Sequence, residues 1–306
     1  MLGFFILPTL LTAALIYAIV DDDDDDDRNT AETTAEEIDV PEDVESFEGS
    51  EADDKITARD AGGIIDARGG NDTIVGSAAI DGILAGGGDD VVFAAAGDDA
   101  VSGGEGDDRV FLGDGEDVYA PDESDPESTA GDDFVRGGAD DDIIMDSLGA
   151  NTIFGDLGDD VISVVDGLSQ DGTITVPTSE LGSSDEATGG FGDDGLLGDD
   201  GDTLTGGADE DLFGVLITSE REQDVVDITD FDTEEDALAV INIGPEIDDN
   251  ILEFEYDEDE QLVRASADGL EVAILRGLTE SDIPNIRFDL IQVDELTLGP
   301  TTAQTT

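Results

Sequence analysis

The sequence predicts an all-β protein, a parallel β-roll or β-helix solenoid of nonapeptide repeats finished by an antiparallel β cap. Three observations carry that expectation. A nine-residue period runs through the middle of the chain, apolar residues recur at one fixed position within it, and alternating apolar runs follow where it stops.

The stretch GGEGDDRVF, residues 103–111, sets the frame, with Gly103 at position 1 and Phe111 at position 9. Stepping by nine without a gap, position 6 holds Asp54, Gly63, Asp72, Asp81, Asp90, Asp99, Asp108 and Asp117. Position 8 holds Ile56, Ile65, Ile74, Ile83, Val92, Val101, Val110 and Tyr119. These units span 49–120. An insertion, 121–127, precedes four units carrying Asp133, Asp142, Asn151 and Asp160 at position 6. A longer insertion, 164–188, precedes three with Asp194, Asp202 and Asp211, the middle one a residue short. All fifteen units are apolar at position 8, where a hydrophobic content of 38% would place about six by chance. The period is a property of the sequence and not of its composition.

Each part of the unit has a physical task. Positions 7–9 suit a very short strand, with position 8 inward and its neighbours outward. Positions 1–6 must turn the chain, and glycines at 1, 2 and 4 are expected to supply positive φ, close backbone packing and exposed carbonyls. Gly86, Gly88, Gly104, Gly106, Gly113 and Gly115 are the examples chosen as carbonyl donors. Aspartate at position 6 adds a hard anionic oxygen. Calcium takes about six to eight oxygens from carboxylates and carbonyls, so a glycine-rich loop ending in Asp offers both kinds of ligand. Stacked carboxylates ~4 Å apart repel by about 4 kcal/mol at an effective dielectric of about 20, so the array is expected to need a cation. The candidate metal ligands are Asp54, Asp72, Asp81, Asp90, Asp99, Asp108, Asp117, Asp133, Asp142, Asp160, Asp194, Asp202 and Asp211, with the six glycine carbonyls. Asp107, beside Asp108, reads as a solvated neighbour.

The repeat G-G-x-G-x-D-x-U-x over residues 49–214 resembles the RTX family of secreted bacterial proteins with hemolysin-type calcium-binding repeats. The resemblance implies two nonapeptides per turn, several calcium ions, and ligand columns eighteen residues apart. One column is then Asp54, Asp72, Asp90 and Asp108, and the other Asp81, Asp99 and Asp117, weakened at Gly63. Asn151 also breaks the aspartate column, and Asp140, Asp200 and Asp209 stand at the position 4 glycine, so those units are expected to depart from the regular site. The run at 224–240 looks like the segment that closes RTX rolls. From 215 to 298 the alternating runs 251–256, 261–266 and 270–278 read as an antiparallel cap over the last turn, and 299–306 as a disordered tail.

Composition bounds the function. The chain carries 83 Asp plus Glu against 10 Lys plus Arg, a formal charge of −73, which makes nucleic acid a poor partner and cations a natural one. It has neither Cys nor His, so disulfides, thiolate sites, histidine triads and the H-E-x-x-H zinc motif are excluded. Residues 2–20 carry no charge and approach the ~20 residues that span a bilayer. They read as a retained anchor first, with a cleaved signal or another secretion-linked tail as alternatives. Residues 21–48, opening with seven aspartates, read as an acidic linker. Many RTX proteins place a catalytic domain before the roll; only 48 residues precede the first repeat here, and catalysis is not expected.

The function expected is therefore that of a calcium-binding β-roll, secreted or tethered at the cell surface, with a structural or binding role and folding on calcium. The alternative is a surface adhesin that engages a carbohydrate, a mineral or another cell. The insertion 164–188 reads as a tolerated excursion, with a contact loop as its functional alternative.

Overall fold

The computed structural model describes residues 29–30, 37–41, 43–120, 131–146, 149–166, 184–199, 201–218, 225–243 and 252–293. The hydrophobic segment, the aspartate run, the insertion 121–127, Asp200, the tail 299–306 and most of 164–188 lie outside them. Among the described residues every regular element is a β-strand except one short 3-10 turn, Ile283–Asn285, and no helix is long and apolar enough to cross a membrane.

Successive nonapeptides alternate between two parallel sheets of twelve and thirteen strands, so units two apart are hydrogen-bonded neighbours. Val92 lies between Ile74 and Val110 in register, and Val101 between Ile83 and Tyr119. Position 8 thus forms one column per sheet, and the two columns face each other across the interior. Ile56, Ile74, Val92, Val110, Ile144 and Ile153 are fully buried. Period-2 alternation brings position 1 inward as well: Ala67, Ala85, Ala94 and Leu112 are buried beside the position 8 side chains.

The insertions leave the ladder intact. Across 121–127 the partner step lengthens, so that Arg109 pairs with Phe134, and across the second insertion Thr152 pairs with Glu186. That second register shows that the insertion is shorter than expected: Glu186–Phe191 is a roll strand, with Asp185 and the buried Ala187 at positions 6 and 8. At the other end the ladder begins inside the expected linker. Glu37–Asp39 pairs with Lys55–Thr57, Ser46–Glu48 pairs with Ile64–Asp66, and Phe47 is 1% exposed. Phe47 stands nine residues before Ile56, so the apolar period reaches further back than the aspartates do.

The antiparallel strands Leu252–Asp257, Leu262–Ala267 and Leu270–Leu275 close the thirteen-stranded sheet. The twelve-stranded sheet instead stays parallel to its end, through Ala237–Ile243 and Arg287–Val293. The cap is therefore antiparallel on one side only, with Phe254 packed against Phe288 where the two sides meet.

Candidate metal centre

The position 6 aspartates form two continuous hydrogen-bonded ladders, one along each row of turns. In the first, the Asp72 amide donates to Asp90 Oδ1 at 2.7 Å and the Asp90 amide to Asp108 Oδ1 at 2.8 Å. Asp54 leads into this ladder, and Asp133, Asn151, Asp185 and Asp202 continue it. The second runs from the Gly63 amide through Asp81, Asp99, Asp117, Asp142, Asp160, Asp194 and Asp211 to Asp236. Both supposed breaks fit. Asn151 accepts through Oδ1 as an aspartate does, and Gly63 needs only its amide.

Position 5 builds a second kind of ladder, which gives the solvated Asp107 a structural role as well. The Asp107 amide donates to Asp89 Oδ1 at 3.2 Å, and Asp107 Oδ1 accepts the Asp132 amide at 3.0 Å. Here each amide bonds the preceding turn, whereas at position 6 it bonds the following one. The acid pair DD therefore stitches a turn in both directions: Asp107 is exposed and Asp108 buried.

The glycines divide their work by position. Positions 2 and 4 are left-handed, as at Gly104 (φ 110°) and Gly106 (φ 115°), and Gly86, Gly88, Gly113 and Gly115 share that geometry. A Cβ on Gly104 would overlap the carbonyl oxygen of Gly86 in the turn below. Asp140 and Asp209 keep positive φ at position 4 (76° and 83°), so the glycine substitutions there leave the turn shape unchanged. Position 1 does not follow the expectation of positive φ. Gly103 is buried and conformationally ordinary, and a Cβ there would overlap Asp108 Oδ2, as at Gly137 with Asp142 and Gly155 with Asp160. Glycine at position 1 makes room for the carboxylate.

That second carboxylate oxygen carries the chemistry. Oδ2 of Asp72, Asp90, Asp99, Asp108, Asp117, Asp142, Asp160 and Asp194 is buried without a hydrogen-bond partner. A buried anionic oxygen without a partner is costly, and it is either protonated or neutralised by a cation. Burial first, and neighbouring carboxylates second, push Asp108, Asp142 and Asp194 up to about 8, against the stabilising pull of their ladder amides. Asp90, Asp99 and Asp211 rise to about 7 and Asp72, Asp117 and Asp160 to about 6, again chiefly through burial. Asp133 differs. Its Oδ2 accepts the buried Tyr119 hydroxyl at 3.2 Å, and Asp146 hydrogen-bonds the same carboxyl.

Among the described residues no three carboxylates converge as a ready-made metal set. The donors on hand are single buried aspartate oxygens and the stacked carbonyls of positions 2 and 4. Hard oxygens of mixed type, with unpartnered anionic members, fit calcium and offer no nitrogen or sulfur to a softer metal. Two aspartates that the sequence reading passed over join the ladders. Asp185 and Asp236 each stand two residues before a buried apolar residue, Ala187 and Leu238, and that D-x-U spacing was their signal.

The family model for the RTX calcium-binding nonapeptide repeat matches residues 66–101, 84–119 and 127–162. No curated protein matches the chain. Among solved structures, a hyperactive, Ca2+-dependent, β-helical antifreeze protein from an Antarctic bacterium is 18% identical with a TM-score of 0.27. The match covers 68% of this chain and 64% of that one. The matched segments are RTX calcium-binding nonapeptide repeats, and the chain carries an RTX-type calcium-binding β-roll.

Proposed function

We propose that this chain is an extracellular or surface-tethered structural and binding protein whose roll becomes ordered on taking up several calcium ions. The observation that carries this reading is the row of buried, unpartnered Oδ2 atoms along both ladders. The position 6 aspartates and the carbonyls of the position 2 and 4 glycines would hold the ions, and the ions would neutralise the carboxylates. Calcium-poor surroundings then keep the chain open, and calcium-rich surroundings close it. A calcium titration followed by circular dichroism tests this, with β signal expected to rise with calcium and fall on chelation. An identical spectrum in both conditions overturns it. Mass spectrometry of secreted and membrane fractions tests whether residues 2–20 are retained as an anchor.

The adhesin reading draws on one face of the thirteen-stranded sheet. Phe93 and Phe111 stack at 5.1 Å, and Phe134 and Phe154 extend the row, with Arg136 over the Phe154 ring. Phe93 is 41% exposed, and Arg109 and Arg136 are two of only ten cationic residues in the chain. An exposed aromatic stripe on so acidic a molecule, with Arg136 paired to Asp156 at its edge, favours contact with a surface. Pull-down on polysaccharide and on calcium carbonate tests it. Retention that survives Phe93→Ala with Phe111→Ala would rule the stripe out as the contact.

A further inference from the structure

We infer that the backbone at position 2 sorts the turns into two kinds, one open to calcium and one that caps its own aspartate and takes no ion. The inference rests on the calcium reading above and goes beyond it by stating which turns are loaded.

Position 2 is left-handed in each of the eight turns whose Oδ2 lacks a partner. Six of the eight use glycine or alanine there, and Arg68 (φ 77°) and Asp156 (φ 77°) adopt the same conformation with larger side chains. At Ser50, Ser77, Asp199 and Asp232 the backbone stays out of the left-handed region. In those four turns the position 2 amide donates to Oδ2 of the same unit's aspartate. The distances are 3.0 Å to Asp54, 2.7 Å to Asp81, 2.8 Å to Asp202 and 2.7 Å to Asp236. The correspondence has no exception among these twelve turns.

Its cause is local. A left-handed position 2 rotates its amide away from the carboxylate further down the same turn, and Oδ2 is left without that donor. A right-handed or extended position 2 points the same amide back at Oδ2 and fills the valence that a cation would use. Ser50 adds its hydroxyl, at 2.8 Å to the same oxygen. The self-capped turns lie toward the two ends of the roll, at Asp54 and Asp81 and again at Asp202 and Asp236. The end turns are thereby satisfied without metal, and the calcium-loaded stretch lies between them.

The test counts ions by native mass spectrometry at saturating calcium, on the full chain, with circular dichroism to confirm the fold. Ser77→Gly and Ser50→Gly should each bind one ion more than wild type, because glycine can follow Ala95 or Arg68 in the next turn into the left-handed region. The isosteric pair Asp81→Asn and Asp99→Asn should split, the first binding as many ions as wild type and the second one fewer. Asn151 shows that asparagine sits in the ladder without disturbing it. Loss of an ion from Asp81→Asn, or unchanged counts in both folded glycine variants, overturns the inference and leaves the calcium reading standing. A wild-type chain that binds no calcium overturns both.

Discussion

The Asp90 amide and the Asp108 carboxylate meet at 2.8 Å across one turn of the roll, and they use only half of that carboxylate. Oδ1 belongs to the backbone ladder, while Oδ2 lies buried over Gly103 with no partner. One side chain thus holds adjacent turns in register and keeps an anionic oxygen in reserve for a cation. A protein of charge −73 can stack its acids because each stacked acid first satisfies a neighbour's amide.

Acid should substitute for calcium. Asp72, Asp108 and Asp202 have folded values of about 6, about 8 and about 9, raised chiefly by burial from an ordinary 3.8. They bind protons more tightly folded than unfolded, so the stability they lend the metal-free roll is complete below about pH 4. It falls as pH rises through 6 to 9. Chelated protein should therefore show β signal near pH 4 and lose it toward pH 8, while calcium-loaded protein keeps it at pH 8. Circular dichroism across that range checks the prediction; a chelated roll more ordered at pH 8 than at pH 4 would contradict it.

Ladder and ligand should separate by mutation. Asp108→Ala leaves the buried Asp90 amide without an acceptor and deletes an anionic ligand, whereas Asn151→Ala deprives the Asp133 amide of its acceptor and removes no carboxylate. Each lost acceptor costs about 1–3 kcal/mol. In saturating calcium the Asp108 variant should melt below the Asn151 variant. Their midpoints should converge as calcium is withdrawn. Thermal melts at several calcium concentrations measure this, and a gap independent of calcium would assign Asp108 a purely structural role.

Three glycines of neighbouring turns should respond in three ways. Gly104→Ala forces a Cβ into a left-handed position, at about 1–2 kcal/mol, and against the Gly86 carbonyl besides, so it should be the most destabilising of the three. Gly103→Ala meets no backbone, only the Asp108 carboxylate and the Tyr119 hydroxyl, so it should weaken calcium affinity more than it lowers stability at saturation. Gly87→Ala meets only the Glu105 carboxylate, at an ordinary contact distance of 3.9 Å and with ordinary φ, and should be nearly neutral. Calcium titrations and melts of the three variants give the comparison.

Much of this was legible in the sequence because the repeat couples spacing to chemistry. A nine-residue step with an aliphatic residue at position 8 gave the parallel stacking, and the same step placed every candidate aspartate in one of two ladders. What escaped depended on direction and not on residue type. Nothing in the pair Asp107–Asp108 says that their amides bond opposite neighbours, so Asp107 read as solvated. Gly103 and Gly104 are the same letter, yet one makes room for a carboxylate and the other turns the chain. Phe47 and Asp185 kept the period but lacked the glycines, and so were assigned to a linker and an insertion. A hydrogen bond such as that from Ser77 to Asp81 turns on a single φ, which a one-sequence reading has no means to see.

Tyr119 should mark a turn whose aspartate is satisfied by a buried phenol. It occupies position 8, where the other units of the roll carry aliphatic residues, alanine or phenylalanine, and its buried hydroxyl reaches Asp133 Oδ2. Burial, with Asp146, Asp133 and Asp108 nearby, holds the phenol well above its ordinary value. The folded, calcium-loaded chain should therefore show a phenol that ionises late, near the alkaline unfolding of the roll. Tyr119→Phe removes that component from the absorbance titration at 295 nm. It also leaves Asp133 Oδ2 short of one donor, so the variant should lose about 0.5–1.5 kcal/mol of stability at acid pH without calcium, the worth of one hydrogen bond. If Tyr119→Phe instead removes a component that ionises at the ordinary phenol value, the hydroxyl is open to solvent and its bond to Asp133 is not formed.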